Sequence, residues 1–239
     1  MTDLLAQVLR AHGGVDRYQK MRTVTATIVS DGELFRDKGL AQDLSAREMT
    51  VYLHEERASV RPFGAPDQRT DFTADRIAIE KMDGTPVAER KDPRPRYVTH
   101  TLSTPWDPLD RAYFNGYALW TYLATPFFMT LDGFTVEETK PWVEGNEEWR
   151  CLRVTFPEAI ASHCRVQLFY FGSDFLLRRH DYNVDIAGGF AAAQYVYDLT
   201  EADGFVVPTK RRAFLRASDG TARRDHLMVS IDVADIRFS

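Results

Sequence analysis

The segment AYFNGYALWTYLATPFFMTL (residues 112–131) contains no Asp, Glu, Lys or Arg and is rich in aromatic residues. Such a run is compatible with a membrane span, a core helix or the wall of an apolar cavity. A span needs about 20 predominantly apolar residues. Here polar residues such as Asn115 and Thr121 interrupt the run, and the apolar residues recur at three- and four-residue steps. That spacing predicts a helix with one apolar stripe and argues against a span.

The residues around this run predict the ends of the helix. Thr104 is a favourable N-cap residue, Pro105 suits the first helical position, and Asp107 would then lie near the positive helix end. Pro126 would end the helix, because proline cannot continue one. The stripe between these limits consists of Trp106, Leu109, Tyr113, Tyr117, Trp120 and Ala124. Such stripes more often fill a core, but buried tyrosine hydroxyls need polar partners, which a ligand cavity supplies.

Short strands make up most of the remaining sequence. Leu4, Leu5, Val8 and Leu9 predict an N-terminal helix that Gly13 and Gly14 end. Alternating runs begin near residue 21, a hairpin signal stands at residues 83–84, and residues 34–45 are interpreted as loop or edge strand. Further strands are predicted at residues 134–140, 148–156, 165–171, 175–185, 192–200, 205–210, 211–215 and 226–236. This repetition predicts a mainly β, α+β protein with a large antiparallel sheet in a single domain, residues 1–239.

Charge and termini limit the possible partners and compartments. The net charge is −5, so we expect no nucleic-acid partner. We interpret two basic clusters, at residues 89–97 and 209–216, as solvated strand faces and loops. The two cysteines, Cys151 and Cys164, are expected to be reduced. The N-terminus lacks the features of a signal peptide, so we expect a cytoplasmic protein.

Three segments of the chain resemble a known family. They are AHGGVDRYQKMRTVTATIVSDG (residues 11–32), VQLFYFGSDFLLRRHDYNVD (residues 166–185) and DGFVVPTKRRAF (residues 203–214). In this order they resemble the entry segment, the central hairpin and a late strand of the bacterial lipoprotein-carrier superfamily (LolA/LolB-like). The resemblance implies an incomplete antiparallel β-barrel whose helices cover the concave face and enclose an apolar cavity. Because the periplasmic carriers have a signal peptide, the expectation that carries over is binding of another lipophilic small molecule by a cytoplasmic relative.

The resemblance and the aromatic stripe together predict the ligand-binding residues. They are Trp106, Tyr113, Tyr117, Trp120, Phe127, Phe128 and His100. Burial of apolar surface, at about 25 cal/mol per Å², would supply the binding free energy. A fully packed core, with the surface serving a protein partner that the sequence does not identify, is the structural alternative.

An enzyme using the same cavity is the functional alternative. His180 and Tyr182 share one strand face in phase with Leu176, so an isomerase, cyclase or hydrolase could use His180 as acid/base and Tyr182 as donor. The opposite register would place Asp181 inside. His163 adjoins Cys164, but neighbouring strand residues point to opposite faces and would not form a nucleophile pair. No phosphate loop, nucleophile elbow or zinc spacing occurs in the sequence, and we expect neither cofactor nor metal.

Overall fold

The computed structural model describes residues 2–41 and 43–239. Within them 48% of the structure is strand and 20% is helix, which confirms the mainly β prediction. The helices are α1 (Asp3–Ala11), α2 (Val15–Tyr18), α3 (Glu33–Asp37) and α4 (Pro108–Ala124). The strands are β1 (Thr23–Asp31), β2 (Arg47–Tyr52), β3 (Arg57–Arg61), β4 (Gln68–Thr73), β5 (Arg76–Lys81), β6 (Pro86–Lys91), β7 (Thr135–Glu144), β8 (Glu147–Thr155), β9 (Val166–Phe171), β10 (Leu177–Val184), β11 (Phe190–Ala202), β12 (Phe205–Arg216) and β13 (Ala222–Phe238).

The described strands form one antiparallel sheet. Its order is β6-β5-β4-β3-β2-β1-β13-β12-β11-β10-β9-β8-β7, so the first and last strands of the chain pair in the middle. β6 and β7 are the two edges and do not pair with each other, which leaves the sheet unclosed. The predicted incomplete barrel with a covered concave face is therefore confirmed.

Side-chain alternation explains the inner face of the sheet. In β1, Val24, Ala26 and Ile28 are buried, while the intervening threonines are partly exposed. β12 joins two runs that the sequence suggested were separate, because its pairing with β11 continues from Phe205 to Leu215. The interpretation of residues 34–45 as loop or edge strand is wrong in part, since α3 covers Glu33–Asp37.

The main helix, α4, begins later than predicted. Asp107 is its N-cap, and its side chain accepts from the Asp110 amide at 2.9 Å while Asp110 accepts from the Asp107 amide at 2.9 Å. This reciprocal capping box, followed by Pro108, outcompetes the similar Thr104-Pro105 signal. The helix ends at Ala124, just before Pro126, as predicted.

α4 lies on the inner face against β2 to β6. Residues 112–124 of α4 are all buried, so the helix lacks the polar face expected of an amphipathic surface helix. Gly116 is required at the closest approach, because a Cβ there would lie 2.2 Å from Cγ of Phe72. None of the described helices is both long and apolar enough to cross a membrane. Residues 112–124 of the uncharged run thus form a buried helix on the inner face of the sheet.

Candidate functional site

The predicted ligand-binding aromatics are buried around α4. Trp106, Tyr113, Tyr117, Trp120, Phe127 and Phe128 each expose 5% or less of their surface. Trp120 is anchored structurally, because its indole N–H donates to the carbonyls of Tyr52 and Glu55, both at 2.9 Å. Tyr113 also lines a surface cleft. Ligand contact by these six residues stays a prediction.

His100 follows the 3-10 turn Arg94–Thr99 and is half-buried. Its ring meets Tyr97 edge-on at 5.0 Å between centroids. Burial lowers the pKa of His100 below its usual value. His100 therefore lies directly after the turn that begins at Arg94. Its role in binding stays a prediction.

His180 and Tyr182 point from β10 toward α4. Both are buried there, whereas Arg179 and Asp181 lie in a second cluster on the opposite face of the sheet. The register with Asp181 inside is therefore excluded. The His180 ring stacks on Phe169 at 4.0 Å, and burial holds the pKa of His180 well below its usual value. The catalytic role of this pair stays a prediction.

A chain of hydrogen bonds joins Tyr182 to four further buried residues, which together form the inner polar cluster. Arg211 Nη1 donates to Gln194 Oε1 at 3.0 Å, and Gln194 Nε2 donates to the Tyr182 hydroxyl at 3.0 Å. The Tyr182 and Tyr122 hydroxyls are 3.0 Å apart, and the Tyr122 hydroxyl is 2.7 Å from Nε2 of His163. The inner polar cluster is thus Tyr122, His163, Tyr182, Gln194 and Arg211.

Arg211 sets the direction of this chain. A guanidinium can only donate, so Gln194 must present its oxygen to Arg211 and its amide hydrogen to Tyr182. Tyr182 can then donate to Tyr122, and Tyr122 to Nε2 of His163. Every hydroxyl hydrogen of the chain finds an acceptor in this direction only. Neutral His163 therefore carries its hydrogen on Nδ1, which is buried and has no partner among the described residues.

His180 is the opposite tautomer to His163 and carries its hydrogen on Nε2. The Gln167 amide nitrogen donates to the Cys164 carbonyl at 2.9 Å, so its oxygen accepts from Nε2 of His180 at 2.6 Å. Nδ1 of His180 then keeps a lone pair without a hydrogen-bond partner in the described chain. His163 and His180 lie 6.4 Å apart between ring centroids, and burial lowers the pKa of both well below the usual value. Both imidazoles are neutral near pH 7.

The charge of Arg211 is not balanced nearby. Arg211 exposes 2% of its surface, and burial lowers its pKa to about 10. Its second described contact is a donation from Nη2 to the Tyr122 carbonyl at 2.9 Å, and its guanidinium lies 4.6 Å from the Tyr122 ring centroid. Across residues 2–41 and 43–239, Arg211 has no salt bridge to a carboxylate. The inner polar cluster is therefore a buried region of net positive charge.

A cleft of about 400 Å³ opens from the surface toward this cluster. Residues lining the cleft include Arg94, Tyr113, Phe156, Glu158, Ile160 and Asp185. Arg94 donates to the Ser162 carbonyl at 2.6 Å and to Asp185 at 3.1 Å, and its charge acts on His163. Within the described chain the buried hydroxyls of Tyr113 and Tyr117 lack partners. The cleft floor and the inner polar cluster thus adjoin through Arg94 and His163.

Sequence reasoning missed Arg94, Arg211 and His163. Both arginines belong to the basic clusters that were interpreted as solvated, and that interpretation is wrong for the buried Arg211. The signal was available in β12, because Arg211 is in phase with the apolar residues Phe205, Val207 and Ala213. His163 lies in a loop and not in a strand, so alternation could not place it. Both cysteines are free, as predicted. The described residues contain no group of His, Cys, Asp and Glu that could hold a metal ion.

Comparisons with known proteins identify the fold. No protein-family model matches the sequence, and a search of curated proteins gives no match. A DUF1329 family protein from Desulfovibrio piger has a similar structure, with a TM-score of 0.54, 10% identity and coverage of 99% of this chain and 92% of that chain. A LolA superfamily protein from Nitrosomonas europaea gives a TM-score of 0.53 at 14% identity, covering 98% of this chain and 93% of that chain.

A third similar structure is a domain from Vibrio parahaemolyticus described as a putative outer membrane lipoprotein-sorting protein. It has a TM-score of 0.54 at 10% identity and covers 98% of this chain and 91% of that chain. Identities of this size establish the fold only. The chain therefore has a LolA-like fold over nearly its whole length, which confirms that part of the sequence-based expectation.

Proposed function

We propose that this protein binds a lipophilic small molecule between the half-barrel and α4, with the cleft beside Arg94 as the entrance. The observation that carries this proposal is the set of unpaired polar atoms beneath the cleft, on Tyr113, Tyr117 and His163. More than nine in ten buried polar groups in proteins have a partner, so three unpaired ones beside an open cleft are candidates for completion by a bound molecule or an ordered water.

The surroundings of these atoms favour an apolar partner. Phe156 and Ile160 line the cleft, and the buried aromatics of α4 lie behind it. A volume of about 400 Å³ lies within the range of small-molecule sites, which are mostly apolar with a few placed polar groups. A protein of the same fold is described as a lipoprotein-sorting protein. From it we carry over only the capacity to hold a lipophilic group.

The first test is native mass spectrometry of the protein purified from its own host, followed by organic extraction of any released molecule. A co-purifying lipophilic compound is the expected result. The variant Ala74→Trp would fill the cleft and should purify without that compound. Ala217→Trp, on the turn between β12 and β13 and outside the cleft lining, is the matched control and should retain it. Wild-type protein that carries nothing and takes up neither dodecanol nor dodecanoate would contradict the proposal.

A reaction in the same interior is a second candidate, favoured by the tautomers of two neighbouring histidines. Nδ1 of His180 has a free lone pair, and His163 offers a free N–H at 6.4 Å between ring centroids. One could accept and the other donate a proton to a bound molecule. For an enzyme, His180→Ala should abolish turnover of the extracted compound with little change in affinity. Unchanged affinity with no turnover in the wild type would leave a binding protein.

Location and partners complete the proposal. We place binding in the cytoplasm and expect no nucleic-acid partner, consistent with the net charge of −5. Cell fractionation with an antibody against the chain checks the compartment, and recovery in the periplasm would contradict it.

A further inference from the structure

We infer that the lipophilic ligand carries a carboxylate, which binds in the cleft to Arg94 and Tyr113 and to the adjoining Tyr117. This inference rests on the proposed function and specifies the head group of its ligand. Its basis is that the floor holds an excess of hydrogen-bond donors over acceptors.

Tyr113 and Tyr117 provide two buried hydroxyl groups. Both residues have 0% exposed surface, their rings lie 5.5 Å apart, and neither hydroxyl hydrogen has an acceptor among the described residues. Arg94 lies close enough for its charge to act on both phenols. A guanidinium can donate to a phenol oxygen but cannot accept its hydrogen. Two buried hydroxyl hydrogens therefore await an acceptor beside a cation.

His163 adds a third unpaired hydrogen. The direction of the inner polar cluster, set by Arg211, leaves the His163 hydrogen on Nδ1. The His163 ring lies 5.0 Å from the ring of Tyr117. Arg94 bonds to the carbonyl of the preceding residue, Ser162, at 2.6 Å. Three buried side chains with packed rings thus provide unpaired donors within reach of the charge of Arg94, an arrangement suited to an anionic oxygen.

The nearest buried carboxyl group does not supply that anion. Glu56 accepts from the Ala161 amide at 2.8 Å through Oε2, while Oε1 is buried without a described partner. Burial raises the pKa of Glu56 well above its usual value, which disfavours its ionised form. A protonated Glu56 would be another donor near Arg94. Among the described residues Arg94 forms a salt bridge with the exposed Asp185 at 3.1 Å.

The mouth of the cleft has the opposite character. Asp75, Asp92, Glu158 and Asp185 line it and are exposed. Solvated carboxylates interact weakly with a ligand because water and salt screen them. Tyr113 and Tyr117 are fully buried, where screening is low, so their hydroxyls decide which head group is held. The apolar lining residues Phe156 and Ile160 favour an amphiphile over a free anion.

The test compares ligands that share a twelve-carbon chain and differ in head group. Dodecanoate, dodecanol and dodecylamine are titrated below their micellar concentrations at about pH 8, where a carboxylic acid is ionised. Dodecanoate should bind at least about tenfold more tightly than dodecanol, as expected for hydrogen bonds to a charged group. Acetate, which has the head group without the chain, should compete about a thousandfold more weakly.

Matched variants locate the effect. Arg94→Gln should remove the preference for dodecanoate over dodecanol, while Arg165→Gln, which removes an exposed charge at the same cleft, should keep it. Should Arg94→Gln fail to fold, Tyr113→Phe is decisive, because it deletes only an unpaired hydroxyl. It should weaken dodecanoate binding about fivefold or more while the Tm stays equal or rises.

Each contrary result has one meaning. Equal affinity for dodecanoate and dodecanol would overturn the carboxylate inference and leave lipophilic binding intact. Tighter binding of dodecylamine, or acetate binding as tight as dodecanoate, would also overturn the inference. Binding of none of the twelve-carbon ligands would overturn the proposed function as well.

Discussion

Two arginines are buried on opposite faces of the sheet, and their surroundings differ. Arg179 exposes 0% of its surface and lies on the face away from α4. Arg211 exposes 2% and lies on the α4 face. Burying a guanidinium is costly, and the cost is offset only where charge and hydrogen-bond partners are supplied. One face of the sheet supplies its buried arginine with a counter-ion, whereas the other face supplies only neutral acceptors.

The outer arginine is fully partnered. Arg179 binds Asp181 through two hydrogen bonds, at 2.6 and 2.7 Å, and contacts the Tyr195 hydroxyl at 3.2 Å. Its guanidinium also lies 4.8 Å from the Trp142 ring centroid and 5.3 Å from that of Tyr170. Although burial alone would lower it, the Asp181 carboxylate keeps the pKa of Arg179 above its usual value. We call these five residues the outer polar cluster and interpret it as structural.

The inner polar cluster is hydrogen-bonded but electrically incomplete. Arg211 reaches only an amide oxygen and a carbonyl oxygen, and the chain ends in the unpaired N–H of His163. Burial of a charge therefore does not by itself identify a functional site. The unpaired N–H of His163 is the better candidate, because another molecule can form the hydrogen bond that the fold leaves unmade there.

The largest effect on stability is expected from breaking the outer polar cluster. Asp181→Asn should lower the free energy of unfolding by about 3–5 kcal/mol, because it leaves a buried guanidinium without its main counter-ion. Urea denaturation at neutral pH measures the change. The double variant Arg179→Met with Asp181→Leu should recover most of the loss, since no buried charge remains. A double variant as unstable as the single one would show that packing, not charge, holds this cluster.

Removal of the inner arginine should cost less. Arg211→Met should lower the free energy of unfolding by about 1–3 kcal/mol, the cost of leaving Gln194 and the Tyr122 carbonyl unpaired. Arg212→Met is the matched control, because Arg212 faces the other way and pairs with the exposed Asp232 at 2.6 Å. The control should change stability by about 1 kcal/mol or less. A loss for Arg211→Met as large as that for Asp181→Asn would erase the difference between the faces.

The pH dependence of stability is a further difference between the faces, because the inner face holds two buried neutral histidines, His163 and His180. The folded pKa of His163 is well below 6.5, so only the unfolded chain gains a proton as pH falls through 6.5. Stability is therefore fullest above this value and falls below it, by about 2 kcal/mol per histidine between roughly pH 7 and pH 5. His163→Gln should reduce that pH-dependent loss by about 2 kcal/mol, measured by urea denaturation at both values.

Tyr122→Phe provides the control for this experiment, because it removes the hydroxyl that bonds to His163 and keeps both buried imidazoles. It should retain most of the wild-type change in stability between the two pH values. If His163→Gln retained the whole wild-type change, His163 would be able to take up a proton in the folded protein, and its burial as a neutral donor would be wrong.

The smallest expected effect is a gain in stability. Tyr117→Phe removes a buried hydroxyl without a described partner, so the free energy of unfolding should rise by about 1 kcal/mol. Tyr122→Phe is the contrast, because the Tyr122 hydroxyl bonds to both His163 and Tyr182 and its loss should destabilise by about 1 kcal/mol or more. Thermal unfolding without ligand compares the two. Destabilisation by Tyr117→Phe would mean that its hydroxyl already has a partner, such as an ordered water.

Local signals made much of the fold predictable. The alternation in residues 23–31 predicted β1, the glycines after residue 12 predicted the end of α1, and Asp83 with Gly84 predicted the β5–β6 hairpin. These features depend on neighbours in the chain, which a sequence displays directly. The start of α4 was misplaced because two similar capping signals stand three residues apart, and only the reciprocal bonds of Asp107 and Asp110 distinguish them.

Periodicity along the chain was enough to predict the mainly β class, the aromatic helix and the shared face of His180 and Tyr182, because it encodes which side of an element is apolar. The folded chain was needed to show that Arg94 bonds to Ser162, the residue before His163, and that Arg211 lacks the carboxylate that Arg179 has. Those relations join residues far apart in the chain, across strand pairings that no local pattern specifies. Whether a buried charge is satisfied depends on such distant partners, so the candidate site emerged only from the folded chain.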